Sequence, residues 1–499
     1  MKHSFQDLQW TQGFISLGPH FFTELNPTPL SSVRMVANSP SVAELLGLSA
    51  SFATDTQWLN ILSGNHIEEP LKPIATVYSG HQFGVWAGQL GDGRAIMLGE
   101  VEHRGSFWEI QLKGAGKTPY SRMGDGKAVL RSSIREYLCS EAMASLNIPT
   151  TRALALVASP VQVVRETLET AAVVTRVAPS FIRFGHFEHF ANQPDISLLK
   201  QLADFVITQY YPDSKLSLTP YLHFFGEVLK RSAQLVAQWQ AIGFCHGVLN
   251  TDNMSILALS MDYGPYGFMD AFDMNHICNH TDTQGRYSFS NQPQVFHWNL
   301  VRLAESLVLL IAGDASEEST ERAVEELKSY LAVFPEIYQE NYQELMRTKL
   351  GLVNLSFDQQ TSDLIKDLIT LLHDNRVDYT YFFRQLATWV ENPTTKIIED
   401  LMMNRLTWGN WSNRYRKLLD ILNKPNSEIA QQMRLVNPKY ILRQHLAQVA
   451  IDRSQQGDDS EVQKLQSILS KPFDEQPEFE AYASLPPDWA QGLEVSCSS

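Results

Sequence analysis

A glycine-rich turn at 91–95 (GDGRA) is the first segment of the chain that could do chemistry. Gly91 and Gly93 would let the backbone approach a nucleotide closely, and Arg94 offers a positive charge to its phosphates. A plain hairpin turn has the same composition. The turn alone is therefore compatible with a nucleotide site but does not establish one.

A lysine and a glutamate form the second group. Lys113 ends the predicted strand EIQLK, and Glu136 lies on the helix predicted after it. Protein kinases hold a lysine ready for phosphate oxygens in this way, and their Val-Ala-Ile-Lys is similar to Ile-Gln-Leu-Lys. We predict that Lys113 and Glu136 pair beside a phosphate. Glu136 could instead form a surface pair with Arg131 or Arg135 on its own helix.

The segment HGVLNTDN (246–253) has the spacing of a kinase catalytic loop, in which a histidine and a metal-binding asparagine frame a catalytic base. The histidine and Asn253 keep this spacing, but Val248 occupies the base position and cannot accept a proton. Asp252 is the only nearby carboxylate that can replace the base. Asp262 follows in Asp-Tyr-Gly, which resembles the Asp-Phe-Gly whose carboxylate holds Mg²⁺.

The elements that must position these residues are β-rich at the front of the chain and helical behind. Short β-prone runs at 95–101, 107–112, 153–157 and 171–177 lie between turns, which is typical of an antiparallel sheet. A helix is predicted in AVLRSSIREYLCSEAMASL (128–146), and helical periodicity dominates from about Ile196 onward. This order predicts an α+β protein with its site in a cleft.

Charge and composition exclude several function classes. The 499 residues contain 40 Lys+Arg and 55 Asp+Glu, a net charge of −15, which argues against a broad basic face for nucleic acid. The N-terminus lacks the apolar run of a signal peptide, and Arg302 and Glu305 interrupt the apolar stretch 295–313, which favours a buried helix over a membrane span. Four cysteines fit a reducing compartment. We expect a cytoplasmic protein with no nucleic-acid or membrane partner.

Longer motifs carry a specific resemblance to a known family. The segments GKTPYSRMGDGKAVLRSSIREYLCSEAM, HGVLNTDNMSI with DYGPYGFMD, NQPxxxxWNLxxLA and the ending SLPPDW…SCSS resemble the selenoprotein O family over essentially the whole chain. The resemblance implies a protein adenylyltransferase that moves AMP from ATP to Ser, Thr or Tyr hydroxyls and releases pyrophosphate. It also implies Mg²⁺ or Mn²⁺ as cofactor and, for bacterial members, possible transfer of UMP from UTP.

The resemblance further implies a protein-kinase-like bilobal fold in a bacterial, monomeric protein. We expect an N-terminal extension at 1–74, a β-rich N-lobe at 75–185, a helical C-lobe at 186–320, and a helical region with an extended tail at 321–499. ATP would bind flipped relative to kinases, so that its α-phosphate faces the acceptor hydroxyl.

Site residues carried over by motif have distinct roles. Asp252 becomes the proton acceptor, and Asn253 and Asp262 become the metal ligands. Lys113, paired with Glu136, would meet phosphate. The predicted nucleotide-binding residues are Gly91, Gly93, Arg94, Lys113, Asp125, Gly126, Arg176, Arg183 and Asp262.

Two other functions remain open at this point. A kinase-like phosphotransferase fits the spacing of 246–253, although Val248 is an objection to it. An inactive nucleotide-binding pseudokinase fits the same motifs without any transfer reaction.

The cysteines add one further hypothesis. Cys278 follows Asp262 in a loop-rich stretch, and Cys497 lies in the tail, where some members of the family carry selenocysteine. We predict a reversible Cys278–Cys497 disulfide that lowers activity, with two unpaired thiols as the alternative. Cys139 and Cys245 are predicted to be packing residues.

Overall fold

An antiparallel sheet precedes a long series of helices in the computed structural model, which describes residues 5–353, 355 and 358–493. Ten strands form one sheet and two more form a small separate ladder. The strands are β1 (Gln9–Thr11), β2 (Phe22–Glu24), β3 (Arg34–Asn38), β4 (Ile74–Gln82), β5 (Val85–Gly91), β6 (Ala95–His103), β7 (Ser106–Lys113), β8 (Ala128–Val129), β9 (Arg152–Val164), β10 (Leu168–Ala178), β11 (Phe244–Cys245) and β12 (Gly267–Phe268).

The main path of the sheet runs β2-β4-β6-β7-β10-β9-β3, and β1, β5 and β8 pair with β6, β4 and β10. Two tight hairpins set its register. The turns Phe83–Gly84 and Arg104–Gly105 have φ values of +51°, +81° and +54°, +77°. Two consecutive positive φ values are characteristic of type I′ turns, whose twist matches that of the strands they join. These turns place Gln82 and Lys113 at the edge of the cavity described below.

Sixteen α-helices are found in the described part of the chain. They are α1 (Pro40–Leu45), α2 (Thr56–Leu62), α3 (Leu130–Ser145), α4 (Phe184–Ala191), α5 (Ile196–Tyr210), α6 (Pro212–Lys215), α7 (Pro220–Ile242), α8 (Gln292–Ala312), α9 (Glu317–Ala332), α10 (Phe334–Lys349), α11 (Gln359–Asn375), α12 (Tyr379–Glu391), α13 (Arg405–Ile421), α14 (Asn426–Val436), α15 (Gln444–Gln455) and α16 (Ser460–Leu469).

The junction after α7 positions the loop at 246–253. Gly243 ends the helix in the left-handed conformation (φ +74°), and a Cβ there would lie 2.7 Å from the Tyr379 ring. The chain then enters β11, which pairs with β12. His246 fixes the start of the loop, because its ring stacks on Trp239 and its Nε2 lies 2.8 Å from the carbonyl oxygen of Met261.

The α+β expectation is confirmed by the sheet at the front and the helices behind it. The four predicted strand runs lie within β6, β7, β9 and β10, and the predicted helix corresponds to α3. Residues 1–74 supply β1, β2 and β3 to the main sheet. The extended tail is wrong in detail, because Pro477–Ala483 and Asp488–Gly492 form short 3-10 helices.

The apolar stretch at 295–313 belongs to α8. Phe289–Ala312 is long and apolar enough to cross a membrane by length and composition, and half of its apolar window is buried. Leu300, Leu303 and Leu307 are fully buried at helical spacing and belong to the largest hydrophobic core. The stripe is explained by packing against the rest of the protein.

Candidate active site

A cavity of about 660 Å³ lies between the sheet, the start of α3 and the loops that follow α7. Its lining includes every residue predicted for catalysis, nucleotide binding, metal binding and the supporting ion pair: Gly91, Gly93, Arg94, Lys113, Asp125, Gly126, Glu136, Arg176, Arg183, Asp252, Asn253 and Asp262. Residues up to 171 positions apart in the chain therefore converge on one site. Strands β7 and β10 supply Lys113 and Arg176, the segment before α4 supplies Arg183, and the loops after α7 supply Asp252, Asn253 and Asp262.

The Lys113 ammonium is the first basic group of this site. Its Nζ lies 2.6 Å from Glu136 Oε2 and 3.3 Å from Asp262 Oδ1. Both charges are almost fully buried, so the pair sits in a medium where its attraction is strong and the loss of either partner is costly. The predicted pairing of Lys113 with Glu136 is present in the structure, and the surface alternatives with Arg131 and Arg135 are not, because Arg131 binds Glu169 and Arg135 binds Gln444 and the Tyr266 carbonyl.

Two arginines reach the same aspartate from β10 and from the segment before α4. Arg176 Nη1 lies 2.6 Å from Asp262 Oδ1, and Arg183 Nη1 binds Asp262 Oδ2 and donates to the Asp252 carbonyl oxygen at 2.7 Å. Arg183 also lies over the Tyr78 ring, 5.1 Å from its centroid. These contacts hold both guanidinium groups rigidly at the floor of the cavity.

A buried polar chain orients Arg176 from behind. Asp92 accepts hydrogen bonds from the amide and hydroxyl of Thr76 and from Gln111, and the Gln111 side-chain oxygen accepts one from Arg176. Asp92 lies inside the GDGRA turn. The turn therefore contributes a buried carboxylate to the arrangement as well as its glycines.

The charges around Asp262 shift its ionisation strongly. Burial alone would raise the pKa of Asp262, but Arg183, Lys113 and Arg176 together hold it well below the usual range of a carboxyl group. Burial lowers the pKa of Lys113, and Glu136 and Asp262 oppose that shift. The three cations share the two carboxylates of Asp262 and Glu136, an arrangement that suits an additional anionic ligand.

Asp262 adopts a backbone conformation that non-glycine residues rarely use, with φ +57°. Strain of this kind is kept in proteins where the surrounding structure enforces it, often at functional sites. Here the carboxylate of Asp262 is held by ion pairs with Lys113, Arg176 and Arg183. The Asp-Tyr-Gly motif is thus held with its carboxylate in the cavity.

Asp252 lines the same cavity from the short 3-10 helix Thr251–Asn253. Its Oδ2 accepts a hydrogen bond of 3.1 Å from Gln82 Nε2, whereas its buried Oδ1 has no hydrogen-bond partner among the described residues. A buried carboxylate oxygen without a partner is rare and needs an explanation. A ligand hydroxyl in the cavity would supply that partner.

Asn253 and Val248 occupy the remaining positions of the loop. The Asn253 Nδ2 donates to the Val248 carbonyl oxygen at 3.1 Å, which turns the amide oxygen away from that contact. Val248 is nine-tenths buried and lines the cavity with an aliphatic surface. Among the described residues no cluster of three or more His, Cys, Asp or Glu is arranged to hold a metal ion. A metal here would have Asn253 and Asp262, two hard oxygen donors, as protein ligands.

The glycines of the cavity are required by close contacts. A Cβ at Gly91 would lie 2.5 Å from the Tyr120 ring, and one at Gly126 (φ +74°) would lie 2.2 Å from the backbone of Gly116. Asp125, beside Gly126, is at the mouth and forms a two-pronged ion pair with Arg165 at 2.9 Å on each arm. The Asp125 side chain is exposed, and it is already paired with Arg165.

Sequence reasoning missed Gln82, Asp92 and Arg165, all of which line the cavity. Asp92 lies within the GDGRA turn, but the sequence does not indicate that its side chain is buried. Gln82 and Arg165 come from strands and turns with no motif, and only the fold brings them to the site.

Of the two cysteines of the predicted disulfide, the structure describes only Cys278. Cys278 is buried, and its Sγ lies 3.3 Å from Cys245 Sγ. Cys497 lies outside the described residues, and the described chain ends at Leu493, which lines a second cavity together with Cys278. The Cys278–Cys497 pairing stays a prediction.

A family model and individual related proteins indicate the same family for this chain. Residues 4–470 match the family model described as protein adenylyltransferase SelO. A protein nucleotidyltransferase YdiU from Cupriavidus pinatubonensis is 54% identical over 491 residues, covering 98% of this chain and 94% of that protein. Proteins of the same name from Ralstonia nicotianae and Paraburkholderia xenovorans are 51% and 52% identical, covering 98% and 97% of this chain and 95% of each relative.

Proposed function

The chain belongs to the SelO family of protein adenylyltransferases and is a nucleotidyltransferase, and from this premise we propose that it transfers AMP from ATP to the hydroxyl groups of Ser, Thr or Tyr in proteins. One observation carries the proposal: the same cavity contains an Asp252 oxygen without a hydrogen-bond partner among the described residues and three cations that contact Asp262. Transfer of UMP from UTP is a second reaction of the same site.

The phosphates are bound by the basic groups of the cavity. Lys113, Arg176 and Arg183 are buried and fixed, and guanidinium groups can bind phosphate oxygens through two hydrogen bonds at once. When a triphosphate enters, its oxygens compete with Asp262 for these cations. Arg94 at the rim is exposed and available for the outer phosphates. This arrangement supports a nucleotide bound with its tail inward, flipped relative to a protein kinase.

Asn253 and Asp262 would hold the metal ion of this reaction, Mg²⁺ or Mn²⁺. Both side chains line the cavity and offer oxygen donors, and phosphate oxygens would complete the coordination. When bound, the ion neutralises charge on the phosphates during transfer. The cations that contact Asp262 here would then turn to the nucleotide.

Asp252 removes the proton from the acceptor hydroxyl. The hydroxyl oxygen attacks the α-phosphorus, the bond from that phosphorus to the bridging oxygen breaks, and pyrophosphate leaves with the electron pair. The proton passes to Asp252 Oδ1, the oxygen that has no partner among the described residues. The fixed cations stabilise the charge on the departing pyrophosphate.

A kinase-like phosphotransferase and an inactive pseudokinase are the competing functions. Val248 argues against the first, because an aliphatic side chain fills the position at which kinases place their base. The Asp252 carboxylate argues against the second, because it lines the cavity with an oxygen placed to accept a proton. A kinase-like bilobal shape and a cytoplasmic, monomeric state remain part of the proposal.

Parallel incubations with ATP labelled at the α-phosphate or the γ-phosphate separate the three functions. We expect wild-type enzyme with Mg²⁺ or Mn²⁺ to attach α-label, and not γ-label, to bacterial lysate proteins. Asp252→Ala and Asp262→Ala should each abolish this labelling while leaving the fold intact by circular dichroism. Covalent γ-label would instead indicate phosphotransfer, and no label of either kind would indicate an inactive protein.

A further inference from the structure

Two thiols outside the nucleotide cavity have no part in the transfer reaction. Cys245 ends β11, directly before the loop at 246–253, and Cys278 lies in the loop after Asp262. Their Sγ atoms are 3.3 Å apart, and Cys278 Sγ also lies 3.4 Å from the Cys245 carbonyl oxygen. Packing alone was expected of Cys245, yet it directly faces the other thiol.

Neighbouring contacts hold the two sulfurs in this position. The Asn279 Nδ2 donates to the Gly247 carbonyl oxygen at 3.1 Å, which fastens the Cys278 loop to the chain just after Cys245. A Cβ at Gly247 would lie 2.6 Å from Cys278 Sγ, so the glycine makes room for the sulfur. The proximity is therefore built into the backbone on both sides.

Only one of the two thiols faces open space. Cys245 is fully buried, whereas Cys278 is 9% exposed and lines a second cavity of about 940 Å³ with His276 and His280. A small oxidant that enters this cavity can contact Cys278, whereas Cys245 does not line the cavity. This difference matches that between an attacking and a resolving cysteine.

We infer that Cys245 and Cys278 form a thiol-oxidation site that reacts with small peroxides and closes to an internal disulfide. Cys278 Sγ attacks one peroxide oxygen, the O–O bond breaks, and for hydrogen peroxide one water leaves, so that Cys278 becomes a sulfenic acid. Cys245 Sγ then attacks the Cys278 sulfur, the S–O bond breaks, and a second water leaves. Two thiols are oxidised and one peroxide is reduced to two waters.

The two sulfur atoms are already close to each other. A disulfide bond is about 2.05 Å long, so the sulfurs must approach by roughly 1.3 Å. Burial raises the pKa of the Cys278 thiol well above its ordinary value, which keeps the reactive thiolate scarce. The site should therefore react slowly, under millimolar peroxide, unlike a dedicated peroxidase.

The disulfide would link the Cys278 loop to the strand that carries the loop at 246–253. It would also use the same sulfur that the predicted Cys278–Cys497 bond requires, so the two disulfides exclude each other. Cys245 would thereby compete with the tail for Cys278.

The test is a peptide map of oxidised protein under non-reducing conditions, with Cys497→Ser as the full-length background so that the tail thiol cannot react. After hydrogen peroxide treatment we expect a linked pair of peptides that contain Cys245 and Cys278, lighter by two hydrogens than the separate peptides. Reductant should separate them. Because the readout is mass, the result does not depend on any transfer activity.

Two further variants sharpen the result. In Cys497→Ser with Cys245→Ala, Cys278 should proceed to the sulfinic acid, because its resolving partner is missing. In Cys497→Ser with Cys139→Ala, a buried cysteine away from the pair is removed and the link should persist. An unlinked Cys278 in the Cys497→Ser background, whether reduced, overoxidised or joined to Cys139, would overturn the inference. Melting temperatures establish that each variant is folded.

Discussion

At the scale of single residues, Asp262 is the point where the charges of the cavity meet. Its two oxygens bind Lys113, Arg176 and Arg183, and its backbone is held at φ +57°. In this state the carboxylate serves as a counter-ion for cations that are buried away from water. A nucleotide would take over that role, so Asp262 would exchange its cations for a metal ion.

Asp252 depends on a neighbour that no motif reveals. Gln82 Nε2 donates to Asp252 Oδ2 at 3.1 Å and so fixes which oxygen remains open. We predict that Gln82→Met, which keeps the shape but removes the donor, lowers kcat about tenfold and leaves the KM for ATP nearly unchanged, since a misaligned base slows only the chemical step. Initial rates of α-label transfer to casein measure both constants.

Gln89→Met is the matched control, because Gln89 is exposed on β5 in the same hairpin and does not line the cavity. Its kcat should equal that of the wild type. A normal kcat in Gln82→Met, or an equal fall in both variants, would remove Gln82 from the positioning of Asp252.

At the scale of elements, the glycine loop before α3 shapes the mouth of the cavity. Gly126 has φ +74°, and an added Cβ would lie 2.2 Å from Gly116 backbone atoms. We predict that Gly126→Ala lowers both the melting temperature and the affinity for ATP, because a clash with backbone can be relieved only by moving the loop. Calorimetry of unfolding and of ATP binding measures the two effects.

Gly88→Ala separates the clash from the backbone strain. Gly88 has a similar φ of +72° but no atom within 4 Å of its added Cβ. Left-handed strain alone costs about 1 to 2 kcal/mol, so this variant should be slightly less stable and bind ATP normally. Equal losses of ATP affinity in the two variants would contradict a role for the Gly126 loop in nucleotide binding.

Helix α10 carries a buried lysine, Lys349, that does not line the cavity and that gives a pH-dependent stability prediction. Burial lowers the pKa of Lys349 to about 7, and its Nζ lies 4.2 Å above the Phe383 ring. The pKa of a lysine in the unfolded chain is about 10.4. Between these values the unfolded chain binds more protons, so this residue makes the folded state more stable as the pH rises.

We therefore predict that Lys349→Met raises the free energy of unfolding by about 1 to 2 kcal/mol at neutral pH, since it removes a buried charge. The gain should shrink as the pH rises from about 7 to about 10, because over this window the unfolded lysine still binds a proton that the folded one has lost, and removing that proton costs less as the pH approaches the unfolded pKa. Denaturant titrations across this pH range measure it. Lys328→Met, at an exposed lysine of α9, should show no such trend, and a gain independent of pH in Lys349→Met would contradict the buried-charge explanation.

The strands and helices were more predictable than their connections. The runs within β6, β7, β9 and β10 carry strong β-forming residues, and α3 ends where Asn147 adopts φ +61°, so local patterns sufficed. The pairing of β1, β2 and β3 with strands far along the chain has no local signal. The 3-10 helices of the tail were also missed, because they depend on packing and not on periodicity.

At the scale of the whole molecule, the site also divides into residues that local motifs predict and residues that only the fold brings together. Lys113, Glu136, Asp252, Asn253 and Asp262 could be predicted from motifs, because each motif encodes a local turn or helix. Arg176 and Arg183 followed only from family resemblance, since no local pattern says that β10 and the start of α4 converge on Asp262. Gln82 and Asp92 required the fold itself.

The acidic balance of the chain, −15, contrasts with the cavity. Three buried cations outnumber the two carboxylates that pair with them, so the positive charge is concentrated where phosphate would bind. The remaining surface can be acidic without weakening that site, because exposed charges beyond about 10 Å are screened at ordinary ionic strength.

The most direct measurement of the proposed chemistry is the identity of both products. After incubation of casein with the enzyme, ATP and Mg²⁺ or Mn²⁺, intact mass and phosphate-product analysis are carried out on the same sample. We predict that each modified casein gains one AMP and that one pyrophosphate is released per adduct, with neither product formed by Asp252→Ala. A gain of phosphate with release of ADP would contradict adenylyl transfer.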